Sequence, residues 1–122
     1  MKKILIVEDE PSLLKVLASK FEKESFEVLE ARDGVEGLKV AKEKHPDLIL
    51  LDIVMPKMDG MSMLRKLRED QWGADVPVIL LTNLNETEKI SEGAAEKVFD
   101  YLVKTDWHID DVVKKVRERL EK

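Results

Sequence analysis

Four short apolar runs set the strongest limit on the fold: Ile4 to Val7, Leu48 to Leu51 and Val78 to Leu81, and the weaker Val98 to Val103, which contains Asp100. A strand with one wet face alternates apolar and polar residues, whereas a continuous run implies burial on both faces, as in a parallel sheet covered by helices. A fifth segment, Phe26-Glu27-Val28-Leu29, is broken by a charge and suits an edge strand. Between the runs the period changes to that of helices. Leu13, Leu14, Leu17 and Phe21 form one stripe, Val35 and Leu38 begin a second, Leu64 and Leu67 a third, and Val112, Val113, Val116 and Leu120 a fourth. The segment 85–95 reads as a less apolar helix, with Asn85 and Glu88 in a capping-box pattern. Pro11 suits the first turn of the first helix, with Glu10 or Asp9 as its cap.

This β-α alternation, repeated five times, predicts an α/β fold: a five-stranded parallel sheet, doubly wound as (βα)5. The flavodoxin-like strand order 2-1-3-4-5 is the simplest for a polar second strand. The 122 residues fit a single domain over 1–122, and 43% apolar content is enough for a core. A net charge of -5 with no basic block argues against nucleic acid or an anionic membrane as partner. The absence of cysteine excludes disulfides, thiolate metal sites and cysteine nucleophiles. The N-terminal apolar run turns acidic at Glu8, too early for a signal peptide or a membrane span, so a cytoplasmic location is expected.

The chemistry lies at the carboxyl ends of these runs. The first ends in Glu8-Asp9-Glu10, the third strand in Asp52, the fourth in Thr82 and the fifth in Lys104. Parallel strands bring these ends to one edge, where open α/β sheets place their ligands. Each residue has an ordinary alternative. Glu10 reads best as a helix cap, Asp9 equally as cap or ligand, Thr82 as a strand end, and Lys104 as a surface lysine. Asp52 is harder to dismiss, because a carboxylate continuing a buried strand needs a cation or several donors. Glu8, Asp9 and Asp52 against Lys104 leave two negative charges in excess. An all-oxygen donor set without His or Cys then favours Mg²⁺. Beside such an ion Asp52 can attack phosphorus, with Lys104 pairing with the phosphoryl group and Thr82 donating a hydrogen bond to it.

The stretches Ile4 to Pro11, Pro46 to Gly60, Val76 to Thr82 and Asp100 to Lys104 resemble, in order and spacing, the receiver domains of two-component response regulators. Short stand-alone members such as the chemotaxis response regulator are similar across essentially the whole length. The resemblance implies that Asp52 is the phosphoacceptor, taking its phosphoryl group from the phosphohistidine of a sensor histidine kinase or a phosphotransfer protein. It implies that Glu8 and Asp9 hold the metal together with Asp52 and the backbone carbonyl of Val54. Thr82 and Tyr101 match the switch pair, and Lys104 the lysine of the family. The face built from the fourth helix, fifth strand and fifth helix, including Ile90, Phe99 and Tyr101, is then where a downstream protein docks. With the sequence ending at Lys122, no DNA-binding output domain is expected, and signalling would run through protein contacts in trans.

Several positions depart from the family pattern. Thr105 follows Lys104 where proline after a cis bond is usual. A cis bond before a non-proline costs about 2.5–4 kcal/mol, and its retention is expected because it would aim Lys104 into the cleft. Asn83 replaces a small residue, and Glu96-Lys97 replaces Gly-Ala. Trp72 and Trp107 read as packing or surface aromatics. Val54 and Leu84 cannot orient an attacking water, so slow self-dephosphorylation is expected. A haloacid-dehalogenase-like phosphatase is disfavoured because Val54 stands where that class needs an acid. A flavin carrier is disfavoured because Glu8-Asp9-Glu10 would repel a phosphate. The main alternative is a degenerate receiver that binds partners without phosphorylation.

Overall fold

Successive residues of each inner strand are buried on opposite faces of the sheet, and this divides the core into two layers. The structure is a computed structural model. It describes residues 1–52, 58–82, 100–103 and 108–120, with the backbone alone at 82 and 100–103. In chain order the elements are β1 (Lys3–Val7), α1 (Pro11–Lys23), β2 (Glu27–Ala31), α2 (Gly34–Lys44), β3 (Leu48–Asp52), α3 (Gly60–Glu69), β4 (Val78–Thr82), β5 (Asp100–Val103) and a C-terminal helix (Ile109–Leu120). All strand pairs are parallel, in the order β2-β1-β3-β4-β5. The expected helix over 85–95 lies outside the described residues, as do Val54, Asn83, Leu84, Ile90, Phe99, Lys104, Thr105 and Trp107.

On one face Ile4, Ile6, Leu48, Leu50, Ile79 and Leu81 pack against Leu14, Leu17 and Phe21 of α1 and Val112, Val113 and Val116 of the C-terminal helix. On the other, Leu5, Val7, Ile49, Leu51, Val78 and Leu80 meet Ala41 of α2 and Met61, Met63, Leu64 and Leu67 of α3. Covering both faces removes the inner strands from water, and each fully buried Leu or Ile contributes about 1.5–3 kcal/mol. Truncating one, Leu50→Ala for instance, would cost about 2–5 kcal/mol, because a close-packed core only partly refills the void. Edge strand β2 is half-wet, with Glu27 and Glu30 exposed, and charge on an edge deters pairing with another chain.

Two expectations need correction. Val35 does not begin a buried stripe; it is 52% exposed. Helix α2 turns its smallest residues inward instead, Gly34, Gly37 and Ala41, and a Cβ at Gly37 would lie 2.9 Å from the sulfur of Met63 and 3.0 Å from Val7. That close approach rotates Val35 to the outside. Nor does Glu10 cap α1 through its side chain. It occupies the N-cap position, but its carboxylate only accepts from the Ser12 hydroxyl at 3.4 Å. Its length suits capping less well than the shorter Asp, Asn or Ser. Asp9, which lies one residue further out, is not at the cap position either.

Helix ends are closed locally. At the end of α1, Ser25 adopts a left-handed conformation (φ 72°). Its N–H donates to Glu22 at 3.1 Å, and that of Phe26 to Phe21 at 3.0 Å. This is the Schellman pattern, including its apolar contact, since the Phe21 and Phe26 rings meet edge-on at 5.4 Å. His45 ends α2 with φ 48° and stacks on Trp72 at 4.4 Å. Trp72 is thus a packing aromatic.

Candidate functional site

The register of the sheet builds the site. Val7 of β1 is aligned with Leu51 of β3, so the next residue of each chain segment, Glu8 and Asp52, come side by side at the carboxyl edge. Asp52 is the last residue of β3 and pairs with Leu81 of β4. Its carboxylate is therefore carried by the sheet itself. The Glu8 N–H donates to the Ala31 carbonyl at 3.0 Å, which extends the β1–β2 ladder one residue past β1 and fixes the Glu8 backbone. Asp9 then begins the short turn into α1, whose N-cap is Glu10 and whose first residue is Pro11.

Glu8 is fully buried, Asp52 is 2% exposed, and Asp9 faces solvent. One carboxylate oxygen from each of the three lies within 4.8 Å of the others. At about 4 Å two like charges repel by on the order of 4 kcal/mol at an effective dielectric of about 20. Three carboxylates held this way by backbone and register favour a cation among them. The donors are hard oxygens with one side open, and they fit a small divalent ion that keeps part of its water shell and leaves a position for a ligand oxygen.

Of the other residues singled out from sequence, Thr82 and Tyr101 are placed by their backbones. Thr82 ends β4, one residue beyond Leu81, which pairs with Asp52, and it is aligned with Val103 of β5. Tyr101 is aligned with Leu80. Lys104, the residue after β5, and Val54 lie outside the described residues. The edge thus brings Glu8, Asp9, Asp52 and the backbone of Thr82 together.

Three further residues shape this edge without having been singled out from sequence. Asp33 caps α2, accepting from the Glu36 N–H at 2.8 Å, and Asp59 caps α3, accepting from Ser62 at 2.8 Å. The Gly34 N–H donates to the Met58 carbonyl at 3.1 Å. The caps had a visible signal, an Asp ahead of a Gly that opens each helix. The Gly34–Met58 contact had none, because it joins segments distant in sequence.

Comparison with known proteins agrees with this geometry. Residues 4–117 match the response regulator receiver domain. PilH of Pseudomonas aeruginosa is 38% identical over 105 residues, covering 85% of this chain and 86% of PilH. RpaA of Synechocystis sp., a DNA-binding dual master transcriptional regulator, is 34% identical over 122 residues, covering 100% of this chain and 50% of RpaA. The chain spans about half the length, or less, of several such curated relatives. The receiver domain of a sensor histidine kinase from Pseudomonas aeruginosa, solved with a magnesium ion coordinated in its active-site cleft, has a TM-score of 0.89 at 26% identity, covering 99% of this chain and 98% of that one.

Proposed function

The chain belongs to the response regulator receiver domain family, and from that premise we propose that it is a phosphorylation-activated switch whose acceptor is Asp52. The observation that carries the proposal is the gathering of Glu8, Asp9 and Asp52 at the carboxyl edge, with Asp52 almost fully buried at a strand end.

Receiver domains act with histidine kinases or phosphotransfer proteins and with downstream targets. In the proposed reaction an Asp52 carboxylate oxygen attacks the phosphorus of a donor phosphohistidine. The new O–P bond forms as the N–P bond breaks, and the freed imidazole takes a proton from solvent. Glu8 and Asp9, with Asp52 and the Val54 carbonyl, are the groups that would hold Mg²⁺, which when bound offsets charge on the transferring oxygens. Lys104 pairs with the phosphoryl group and Thr82 donates to it. Because strand geometry fixes Asp52, the attacking oxygen needs little reorganisation.

Phosphorylation replaces one negative charge by roughly -1.5 to -2 and adds three acceptor oxygens. That favours any conformer bringing Thr82 and Lys104 inward, with Tyr101 following, and so shifts a population between two states. The output face is proposed to be the fourth helix, fifth strand and fifth helix, read by a protein in the cytoplasm. The net charge of -5 supports a protein rather than DNA as what this domain itself contacts. Among the described residues no helix is long and apolar enough to cross a membrane.

The test is intact mass after incubation with acetyl phosphate and Mg²⁺. Wild type should gain one phosphoryl group and Asp52→Asn none. An unmodified wild type would favour the degenerate receiver instead. With Val54 unable to orient water, the adduct should be long-lived, and Val54→Asn should speed phosphate release. An unchanged or slower release in that variant would contradict the role given to position 54.

A further inference from the structure

We infer that the open edge of β2 is a docking strand for an extended segment of another protein, one carrying Lys or Arg on either side of two apolar residues. The hydrogen-bond phase of β2 fixes what this edge offers. The Glu27 N–H donates to the Lys2 carbonyl at 2.9 Å, and at the other end of the strand the Ala31 carbonyl accepts from the Glu8 N–H at 3.0 Å. Alternate residues of a parallel ladder serve one neighbour, so Glu27, Leu29 and Ala31 are committed to β1. Val28 and Glu30 turn their N–H and C=O groups the other way, where β2 has no neighbouring strand. An added strand meets that row of donors and acceptors and pairs with it.

Charge decides which segment fits. Edges are ordinarily blunted by proline, a bulge or charged side chains. β2 has no proline, and its register with β1 runs unbroken from Lys3 beside Glu27 to Val7 beside Ala31, which leaves no bulge. Only the charges remain. Glu27 and Glu30 are exposed, with the half-buried Val28 and Leu29 between them, and neither glutamate is ion-paired among the described residues. A neutral strand would desolvate both carboxylates without return, whereas a basic one pairs with them. Residues opposite each other share a face, so Lys or Arg belongs opposite Glu27 and Glu30, and apolar side chains opposite Val28 and Leu29. On the α1 side a groove of about 360 Å³ borders the strand, with Leu14, Ala18, Glu22 and Glu30 in its lining and Lys15 and Arg32 toward the carboxyl edge. The residue opposite Glu30 enters this groove. A lysine there lays its methylenes along Leu14 and Ala18 while its ammonium stays with Glu30. A second copy of this chain is the poorer occupant, since two such edges bring four glutamates to one seam.

The experiment is a titration of the isotopically labelled 122-residue chain with two capped octapeptides, followed by amide NMR. One peptide is centred on Lys-Val-Ile-Lys and the other on Glu-Val-Ile-Glu. The basic peptide should bind about tenfold more tightly than the acidic one. It should also shift the amides of Val28 and Glu30, and slow their exchange, more than those of Glu27 and Leu29, because only outward N–H groups gain a partner. The double variant Glu27→Lys/Glu30→Lys should invert the preference between the peptides. Both positions are exposed on the edge, away from the core and the acid cluster. Should that variant fail to fold, Glu27→Gln/Glu30→Gln replaces it and should abolish the preference. No binding of the basic peptide, equal affinity for the two peptides, or a preference unchanged in the variants would overturn the inference. So would shifts centred on Glu8, Asp9 and Asp52 without alternation along β2, which would mean attraction to the acid cluster instead. Concentration-dependent shifts at Val28 and Glu30 in the free chain would make a second copy the occupant and overturn the basic partner.

Discussion

The starts of α2 and α3 and the start of α1 use the same residue chemistry in opposite ways. Asp33 and Asp59 turn back onto their own helices, each accepting an N–H three residues on at 2.8 Å. At α1 the N-cap residue is Glu10, which makes no such bond, and the acids ahead of it, Glu8 and Asp9, converge with Asp52. The difference turns on the residue at the cap position. Glu10 is one methylene longer than the Asp that caps α2 and α3 and suits capping less well, so α1 starts without a side-chain cap. Its first turn is helped only by Pro11, which fixes φ and removes one unpaired donor. An Asp near a helix start is therefore absorbed by the helix in two cases and left to face the cleft in the third.

The largest expected effect contrasts two neighbours at that third start. Asp9→Asn removes one of three clustered carboxylates and should weaken Mg²⁺ binding by tenfold or more, on the scale of about 10–100-fold seen for disturbed metal sites. Glu10→Gln should leave it nearly unchanged. Titration of both variants checks this, and similar losses in the two would mean that general acidity, not convergence, attracts the ion. The capping acids should behave differently. Asp59→Ala should cost about 1 kcal/mol in denaturant unfolding, the usual cost of a lost N-cap, and should weaken Mg²⁺ far less than Asp9→Asn does.

Much of this division was legible in the sequence. The uninterrupted runs Leu48 to Leu51 and Val78 to Leu81 state two-sided burial, and their polar terminators place Asp52 and Thr82 at one edge once the strands are parallel. What the pattern could not convey is which acid a helix claims. Glu10 looked like a cap because it stands in the right place, yet its side chain is too long to serve as one. Val35 looked buried by period, but the closeness of α2 to Val7 and Met63 through Gly37 decides the rotation of that helix. The Ala31 and Gly34 contacts depend on distant segments meeting, and a one-dimensional pattern carries no trace of them.

Helix ends repeat the contrast on a smaller scale. Ser25 and His45 are both left-handed terminators, where glycine avoids the steric cost of a Cβ. Ser25→Gly should raise stability by roughly 0.5–1 kcal/mol, because the Schellman bonds and the Phe21–Phe26 contact do not involve the serine side chain. His45→Gly should gain less or nothing, since it also deletes the stack on Trp72, a contact of about 0.5–1.5 kcal/mol. Denaturant midpoints of the two variants measure the difference, and equal gains would show that the His45–Trp72 stack contributes nothing.

The smallest effect lies at the start of the C-terminal helix, where Asp110 is used neither as a ligand nor as a cap but as an ion-pair partner of α1. Lys20 Nζ reaches its carboxylate at 2.8 Å. Their hydrogen bond is the main cause that holds the Asp110 carboxyl below the usual carboxylate range and the Lys20 ammonium above the usual lysine range. A depressed carboxyl contributes stability above its unfolded value and loses it as pH falls through the folded one; a raised ammonium loses its contribution as pH rises through its own. The pair is thus complete around neutral pH. It is exposed to solvent and screened by salt, so its worth is small. Asp110→Asn should lower Tm slightly at neutral pH and low salt, and the gap to wild type should close in acid and at ~1 M salt. A gap that persisted in acid would mean that residue 110 acts on the helix start through its shape rather than its charge, and would move Asp110 to the side of Asp33 and Asp59.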